Sequence, residues 1–237
     1  MDPKDRILVG IDTADRARAE TLIRSLKGRV GGIKIGKEFF TAQGPQVVRE
    51  VVGDETLFLD LKFHDIPNTV AGAVRSSLCM KPRIINVHAS GGPAMMTAAG
   101  QAAREEAGAL GVPKPLVIAV TVLTSLDDED LRAVGQLGPA SAQVERLAAL
   151  AQACGLDGVV CSPHEIASLR ALCGPDFKLI VPAIRPSWAA AGDQKRIMTP
   201  AEAVSIGADY IVIGRPITSA EDPAEAADKI ATELTNL

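Results

Sequence analysis

The feature that most constrains this chain is a rhythm: eight short β-rich runs alternate with longer helical stretches along the whole sequence. The runs are 7–12 (ILVGID), 32–36 (GIKIG), 56–62 (TLFLDLK), 84–89 (IINVHA), 116–123 (LVIAVTVL), 158–162 (GVVCS), 179–183 (LIVPA) and 210–214 (YIVIG). Two of the helical stretches carry explicit start signals. Ser162-Pro163-His164-Glu165 and Thr199-Pro200-Ala201-Glu202 each place a cap, a proline at the first helical position and a glutamate three residues past the cap. A βα unit repeated eight times, at roughly 30 residues each, fits the closed (β/α)8 or TIM barrel, so residues 1–237 are expected to form a single α/β domain. An open doubly wound sheet would usually show a glycine-rich phosphate fingerprint after its first strand. Gly10-Ile11-Asp12-Thr13 offers none.

Chemistry in such barrels sits at the C-terminal ends of the strands. Alternation along each strand then tells which residues point inward. In the first run Ile7, Val9 and Ile11 share the helix-facing side, leaving Leu8, Gly10 and Asp12 inward. Ile33 and Ile35 leave Lys34 inward, and Leu57, Leu59 and Leu61 leave Phe58, Asp60 and Lys62 inward. The fourth run adds Asn86 and His88. Asp12, Lys34, Asp60 and Lys62 therefore converge on one end of the barrel from three adjacent strands. A single charge near a strand end is usually a solvated rim residue. Four that share an inward phase must pair with one another or face a ligand, because burying them unpaired is too costly.

Composition narrows the function. The formal net charge is −4 and aromatic residues are 3% of the chain, so the basic stripe and stacking platforms of a nucleic-acid binder are missing. A phosphate-bearing ligand must be held by local cations. Cys79, Cys154, Cys161 and Cys173 lie far apart and read as small buried residues, with neither disulfides nor a metal site expected. No run approaches the ~18 apolar residues of a membrane span, and Met1-Asp2-Pro3-Lys4-Asp5-Arg6 does not read as a signal peptide, so a cytoplasmic protein without membrane contact is expected.

The segment Asp60-Leu61-Lys62-Phe63-His64-Asp65-Ile66-Pro67-Asn68-Thr69 matches a D-x-K-x-x-D-I-P-x-T motif without a departure. In this, the chain resembles the orotidine 5′-monophosphate decarboxylase family, in its short bacterial form. The resemblance extends through Gly32-Ile33-Lys34-Ile35-Gly36, Val87-His88-Ala89-Ser90-Gly91-Gly92, Val120-Thr121-Val122-Leu123-Thr124-Ser125, Ile184-Arg185-Pro186, Gly192-Asp193-Gln194 and Ile213-Gly214-Arg215-Pro216-Ile217. It implies loss of CO2 from orotidine 5′-monophosphate to give UMP, in pyrimidine synthesis, with no metal or organic cofactor. Lys62 would protonate C6 of the pyrimidine, Asp60 would lie beside the substrate carboxylate, and Lys34 and Asp65 would complete an alternating Lys-Asp-Lys-Asp array. The resemblance places Asp65, Ile66 and Thr69 in the site of a partner subunit, making a homodimer with shared active sites. It also implies that Asp12 and Thr69 bind ribose hydroxyls and Thr124 the pyrimidine. Arg185, Gln194, Gly214 and Arg215 would hold the phosphate, in loops after strands 7 and 8 where barrels often bind it. The length of loop 185–198 suggests a lid. Trp188, among alanines in that loop, has no assigned role.

Other residues read as structure. His164-Glu165 opens a capped helix, Met95-Met96 is packing, and the run Asp127-Asp128-Glu129-Asp130 suits a helix N-terminus. His88 reads as a core or supporting hydrogen-bonding residue. Two rivals share the barrel: a metal-dependent sugar-phosphate decarboxylase or aldolase, and a catalytically silent phosphate-binding regulator. The first needs another strand-end carboxylate and sits badly with Ile66-Pro67-Asn68-Thr69; intact Asp60 and Lys62 oppose the second.

Overall fold

Eight parallel strands close into a barrel in simple sequence order, β1 to β8, with each strand paired to the next and β8 back to β1. The structure is a computed structural model that describes residues 2–189, 198–235 and 237. The strands are β1 (Ile7–Ile11), β2 (Gly32–Gly36), β3 (Leu57–Phe63), β4 (Ile84–His88), β5 (Leu116–Val120), β6 (Gly158–Val160), β7 (Lys178–Val181) and β8 (Tyr210–Ile213). Each falls inside or within one residue of its sequence-read run; the main difference is that several runs stop short at the C-terminal end. There the chain leaves the ladder to build the barrel mouth.

The helices between them are α1 (Arg16–Leu26), α2 (Lys37–Val52), α3 (Pro67–Ser77), α4 (Gly92–Leu110), α5 (Asp128–Ala133), α6 (Ala140–Ala153), α7 (Ile166–Cys173), α8 (Pro200–Ser205), α9 (Arg215–Thr218) and α10 (Pro223–Thr235). Helix α1 shows how sequence sets them. The Asp15 carboxylate accepts the N–H groups of Ala17 and Arg18 at 2.8 and 3.2 Å, and Ala19, Leu22, Ile23 and Leu26 make the buried stripe. Capping boxes form at Asp127, Ser162 and Thr199. The Ser162 signal opens a single 3-10 turn before α7 rather than α7 directly.

Alternation divides the core in two. Ile7, Val9, Ile11, Ile33, Ile35, Leu57, Leu59 and Leu61 face the helices in one continuous layer. Leu8, Phe58, Ile84, Ile118, Ile180 and Val212 form a separate cluster that fills the barrel interior. Met95 and Met96 are fully buried packing residues. The expectation for the cysteines holds only in part. Cys161 and Cys173 are buried, but Cys79 is exposed and Cys154 half-buried. Cys79 lies in the short turn Leu78–Met80, where Leu78 and Met80 take the inward positions and leave it outside.

The N-terminal end of the barrel is tied by a repeated device. Asp157 precedes β6, and its Oδ2 accepts the Val117 N–H at 2.7 Å while Lys114 Nζ donates to both its oxygens. Asp209 precedes β8, and its Oδ2 accepts the Leu179 N–H at 2.9 Å and Arg170 at 2.6 Å. Arg170 also donates to the carbonyls of Gly174, Phe177 and Gly207. Among the described residues, no helix is long and apolar enough to cross a membrane.

Candidate active site

At the opposite end, the four inward charges form a line. Lys34 Nζ lies 3.4 Å from Asp12 Oδ1 and 3.4 Å from Asp60 Oδ2, and Lys62 Nζ donates to Asp60 Oδ1 at 2.6 Å. The line runs from solvent into the barrel, since the Asp12 side chain is 63% exposed and that of Asp60 only 11%. Gly10 makes room for it: a Cβ there would stand 3.0 Å from Lys34 Cε and 3.3 Å from Asp12 Oδ2. Burial pushes the Asp60 carboxyl up. The charges of Lys34 and Lys62, with hydrogen bonds from Lys62 and Asn86, outweigh that and hold it below the usual carboxylate range. Asp60 is therefore an anion at neutral pH.

The backbone that carries Lys62 is irregular. Strand β3 pairs Leu59 with Ile85 but Phe63 with Val87, so the two strands lose register between those points. Lys62 has a φ of 52°, in the left-handed region that costs a non-glycine residue roughly 1–2 kcal/mol. Its N–H, released from the ladder, donates to Asn86 Oδ1 at 2.8 Å. The Asn86 Nδ2 donates to Asp60 Oδ1 at 2.6 Å. Beyond it, His88 stacks obliquely on His64 with ring centroids 5.5 Å apart. Burial first, then the charges of His64, Lys37 and Lys62, bring the His88 pKa down to about 4.

These residues line a cavity of about 360 Å³. Beside the charged line the cavity is walled by the apolar Phe58, Val120, Val122, Val160, Ile184 and Val212, and Thr124, Arg185, Gly214 and Arg215 also line it. Arg185 is buried, and its N–H donates to the Met198 carbonyl at 3.0 Å. Ala183, with a φ of 63°, also lines the cavity. Of the three described non-glycine residues with positive φ, two therefore sit at this site, where backbone strain commonly collects.

Asp12, Lys34, Asp60 and Lys62 are thus brought together, as their inward strand positions predict, and Thr124, Arg185, Gly214 and Arg215, which the family resemblance singled out, line the same cavity. Asp65, Ile66 and Thr69 do not. They lie exposed at the start of α3, the Asp65 Oδ1 accepting the Ile66 N–H at 2.6 Å. Asp65 and Ile66 line a separate shallow depression with His64, Pro67, Ser90 and Gly91. Gln194, and with it most of loop 185–198, lies outside the described residues; Trp188 is 47% exposed in the turn before them. Asn86 is the residue whose part in the site the sequence reading missed. The sequence marked its inward position in β4 but not its partners, Asp60 and Lys62.

Chemically, the site sets fixed charges of both signs, Lys34, Asp60 and Lys62, beside apolar side chains, with the guanidinium-bearing Arg185 and Arg215 lining the same cavity. Among the described residues, no three His, Cys, Asp or Glu side chains group as a metal-ligand set.

The orotidine 5′-phosphate decarboxylase / HUMPS family model matches residues 5–230. The chain is 56% identical over 229 residues to an orotidine 5′-phosphate decarboxylase of Paramagnetospirillum magneticum, covering 96% of this chain and 97% of that one. It is 53% identical over 236 residues to one of Moorella thermoacetica, covering 99% and 94%. Its fold is similar to the crystal structure of orotidine 5′-phosphate decarboxylase from Lactobacillus acidophilus, with a TM-score of 0.86 and 34% identity over 96% of this chain and 98% of that one.

Proposed function

The chain belongs to the orotidine 5′-phosphate decarboxylase / HUMPS family, and we propose that it removes CO2 from orotidine 5′-monophosphate to give UMP in pyrimidine biosynthesis, with Lys62 as the proton donor. The observation that carries this reading is the Lys34–Asp60–Lys62 line on the wall of a cavity that apolar side chains, Arg185 and Arg215 also line. Cleavage of the C6–carboxylate bond leaves its electron pair on an sp² ring carbon. A fixed ammonium at that carbon stabilises the pair and then hands over a proton, and CO2 departs. By this reading no cofactor is required.

Asp60 lies where the substrate carboxylate would enter, and like charges repel. At an effective dielectric of about 20, two unit charges about 4 Å apart interact by about 4 kcal/mol. That is too small to carry a large rate enhancement, so Lys62 acting on the transition state supplies the greater share. Asp12 would bind the ribose hydroxyls and Thr124 the pyrimidine, while Arg185, Arg215, the backbone at Gly214 and Gln194 would hold the phosphate. In a cytoplasmic homodimer, Asp65, Ile66 and Thr69 would enter the partner's site; the 67% exposure of Ile66 beside the Asp65 carboxylate supports this assignment.

A spectrophotometric assay with orotidine 5′-monophosphate tests the reading. Loss of the orotate absorbance with release of UMP, unaffected by EDTA, is expected. Unchanged absorbance refutes the reaction, and abolition by EDTA refutes the cofactor-free mechanism. Shared sites are tested by mixing. Lys62→Ala and Asp65→Ala proteins should each be nearly inactive, and unfolding and refolding them together should restore about a quarter of wild-type sites, because about half the dimers are hybrids with one intact site. A refolded mixture as inactive as its parents, beside a wild-type control that refolds well, places both residues within one chain.

A further inference from the structure

We propose that Asn86 is a positioning residue for the decarboxylation, its side-chain amide replacing the missing β3–β4 ladder bond and locking Asp60 and Lys62 into one unit. The proposal rests on the decarboxylase reading. Asn86 is fully buried, and its planar amide has a partner on each side: Oδ1 accepts the Lys62 N–H, and Nδ2 donates to Asp60. Only one orientation of the amide satisfies both, since the N–H requires an acceptor and the carboxylate a donor. The Asp60 Oδ1 that takes the amide hydrogen also takes the Lys62 ammonium. One side chain thus holds the backbone of the proton donor and the carboxylate that aims it.

The need for such a residue follows from the register shift. Between Leu59 and Phe63 strand β3 departs from β4, and Lys62 enters the left-handed region. The N–H of half-buried Lys62 would otherwise be left without a protein partner. Asn86 supplies the carbonyl that the β4 backbone does not. Without it, the Lys62 backbone is free to relax toward ordinary strand geometry, carrying Nζ away from Asp60. A displacement of this kind affects turnover far more than ground-state binding, because the ribose and phosphate groups are held elsewhere around the cavity.

Two variants test this on an enzyme whose wild-type turnover has first been demonstrated, so that failure of the decarboxylase reading is recognised separately. Asn86→Leu keeps the volume and removes both hydrogen bonds. Asn86→Asp keeps the acceptor for Lys62 but turns a carboxylate oxygen toward Asp60. Both are expected to lose roughly tenfold or more in kcat/KM while UMP affinity stays within about threefold. The acid limb of the kcat/KM profile should move to higher pH, further in Asn86→Asp than in Asn86→Leu, because the Asp60 anion loses a donor in one and gains a like charge in the other. The substrate's own ionisations are common to all three proteins. Activity within about twofold of wild type overturns the proposal. So does a loss of turnover and UMP affinity in parallel with the acid limb unmoved, which marks a merely structural role. If neither variant folds, amide hydrogen exchange in the wild type decides. A Lys62 N–H protected like those of the strand interior supports the bond to Asn86; exchange as fast as at exposed loop residues refutes it.

Discussion

At the N-terminal end of the barrel, Asp209 is about as buried as Asp60 is at the other end, with 15% and 11% of their side chains exposed. Each carboxyl pairs with two cationic side chains. Their remaining partners differ. Asp209 accepts a strand N–H, and Arg170 spreads its other hydrogens over three backbone carbonyls, so that network is closed upon the chain itself. Asp60 has an amide and two ammonium groups for partners, and Lys34 and Lys62 both line the cavity. Burial and ion pairing alone do not separate a structural network from a working one. The distinction lies in whether the charges are spent on the backbone or turned toward an open space.

The largest expected effect is at the open end. Under the proposed mechanism Lys62→Ala should lower kcat by about a thousandfold or more, since that mechanism gives the ammonium both an electrostatic and a proton-transfer role. Its thermal unfolding midpoint should change little. Retention of most of the activity would take proton transfer away from Lys62, and a large fall in the midpoint would erase the contrast between the two ends. Arg215→Ala should reduce kcat/KM on orotidine 5′-monophosphate by roughly a hundredfold or more and matter little for a substrate lacking the phosphate, because remote binding energy is drawn on at the reacting carbon. Equal losses on both substrates would put Arg215 with the structural residues.

At the closed end the effect should fall on stability. Asp209→Ala leaves Arg170 and the Leu179 N–H without their acceptor, and about 2–4 kcal/mol should be lost in urea unfolding. The kcat of the folded enzyme should be unchanged. A variant of wild-type stability, or one with impaired kcat, would show that the ends are not divided in this way.

The smallest effect concerns His88. Its pKa is about 4 in the folded protein against an ordinary 6.5, so between these values the unfolded chain binds more protons. Stability should therefore decline as pH falls from 6.5 toward 4. Asp60 acts in the same direction but below the usual carboxylate value of 3.8, outside this window. His88→Asn should flatten the decline in urea midpoints measured across the window. An identical pH profile in the variant would show that His88 titrates alike in both states.

Much of this division was legible in the sequence. Period-two alternation placed Leu8 and Phe58 in the interior plug and Asp12, Lys34, Asp60 and Lys62 at the mouth, because a closed barrel leaves strand residues only two directions. The positive φ of Lys62 was not legible, since no glycine marks it and the register shift depends on pairing with β4. Asn86 was read as inward but without a task, for the same reason: its partners are set by that shift. Local sequence likewise gave no sign that Cys79 faces outward, which follows from how one short turn seats Leu78 and Met80. Capping boxes, by contrast, depend on four consecutive residues, and both that were read from the sequence formed where expected.

The six apolar side chains that plug the interior have a consequence for water. Among the described residues, Leu8, Phe58, Ile84, Ile118, Ile180 and Val212 pack into one cluster that makes the barrel interior a core and not a pore. Solvent that a ligand displaces has no way out through the packed barrel interior. Hydration and occupancy are thus alternative contents of one vessel, and the strength with which a ligand is held includes the release of every water that the charged wall had kept in place.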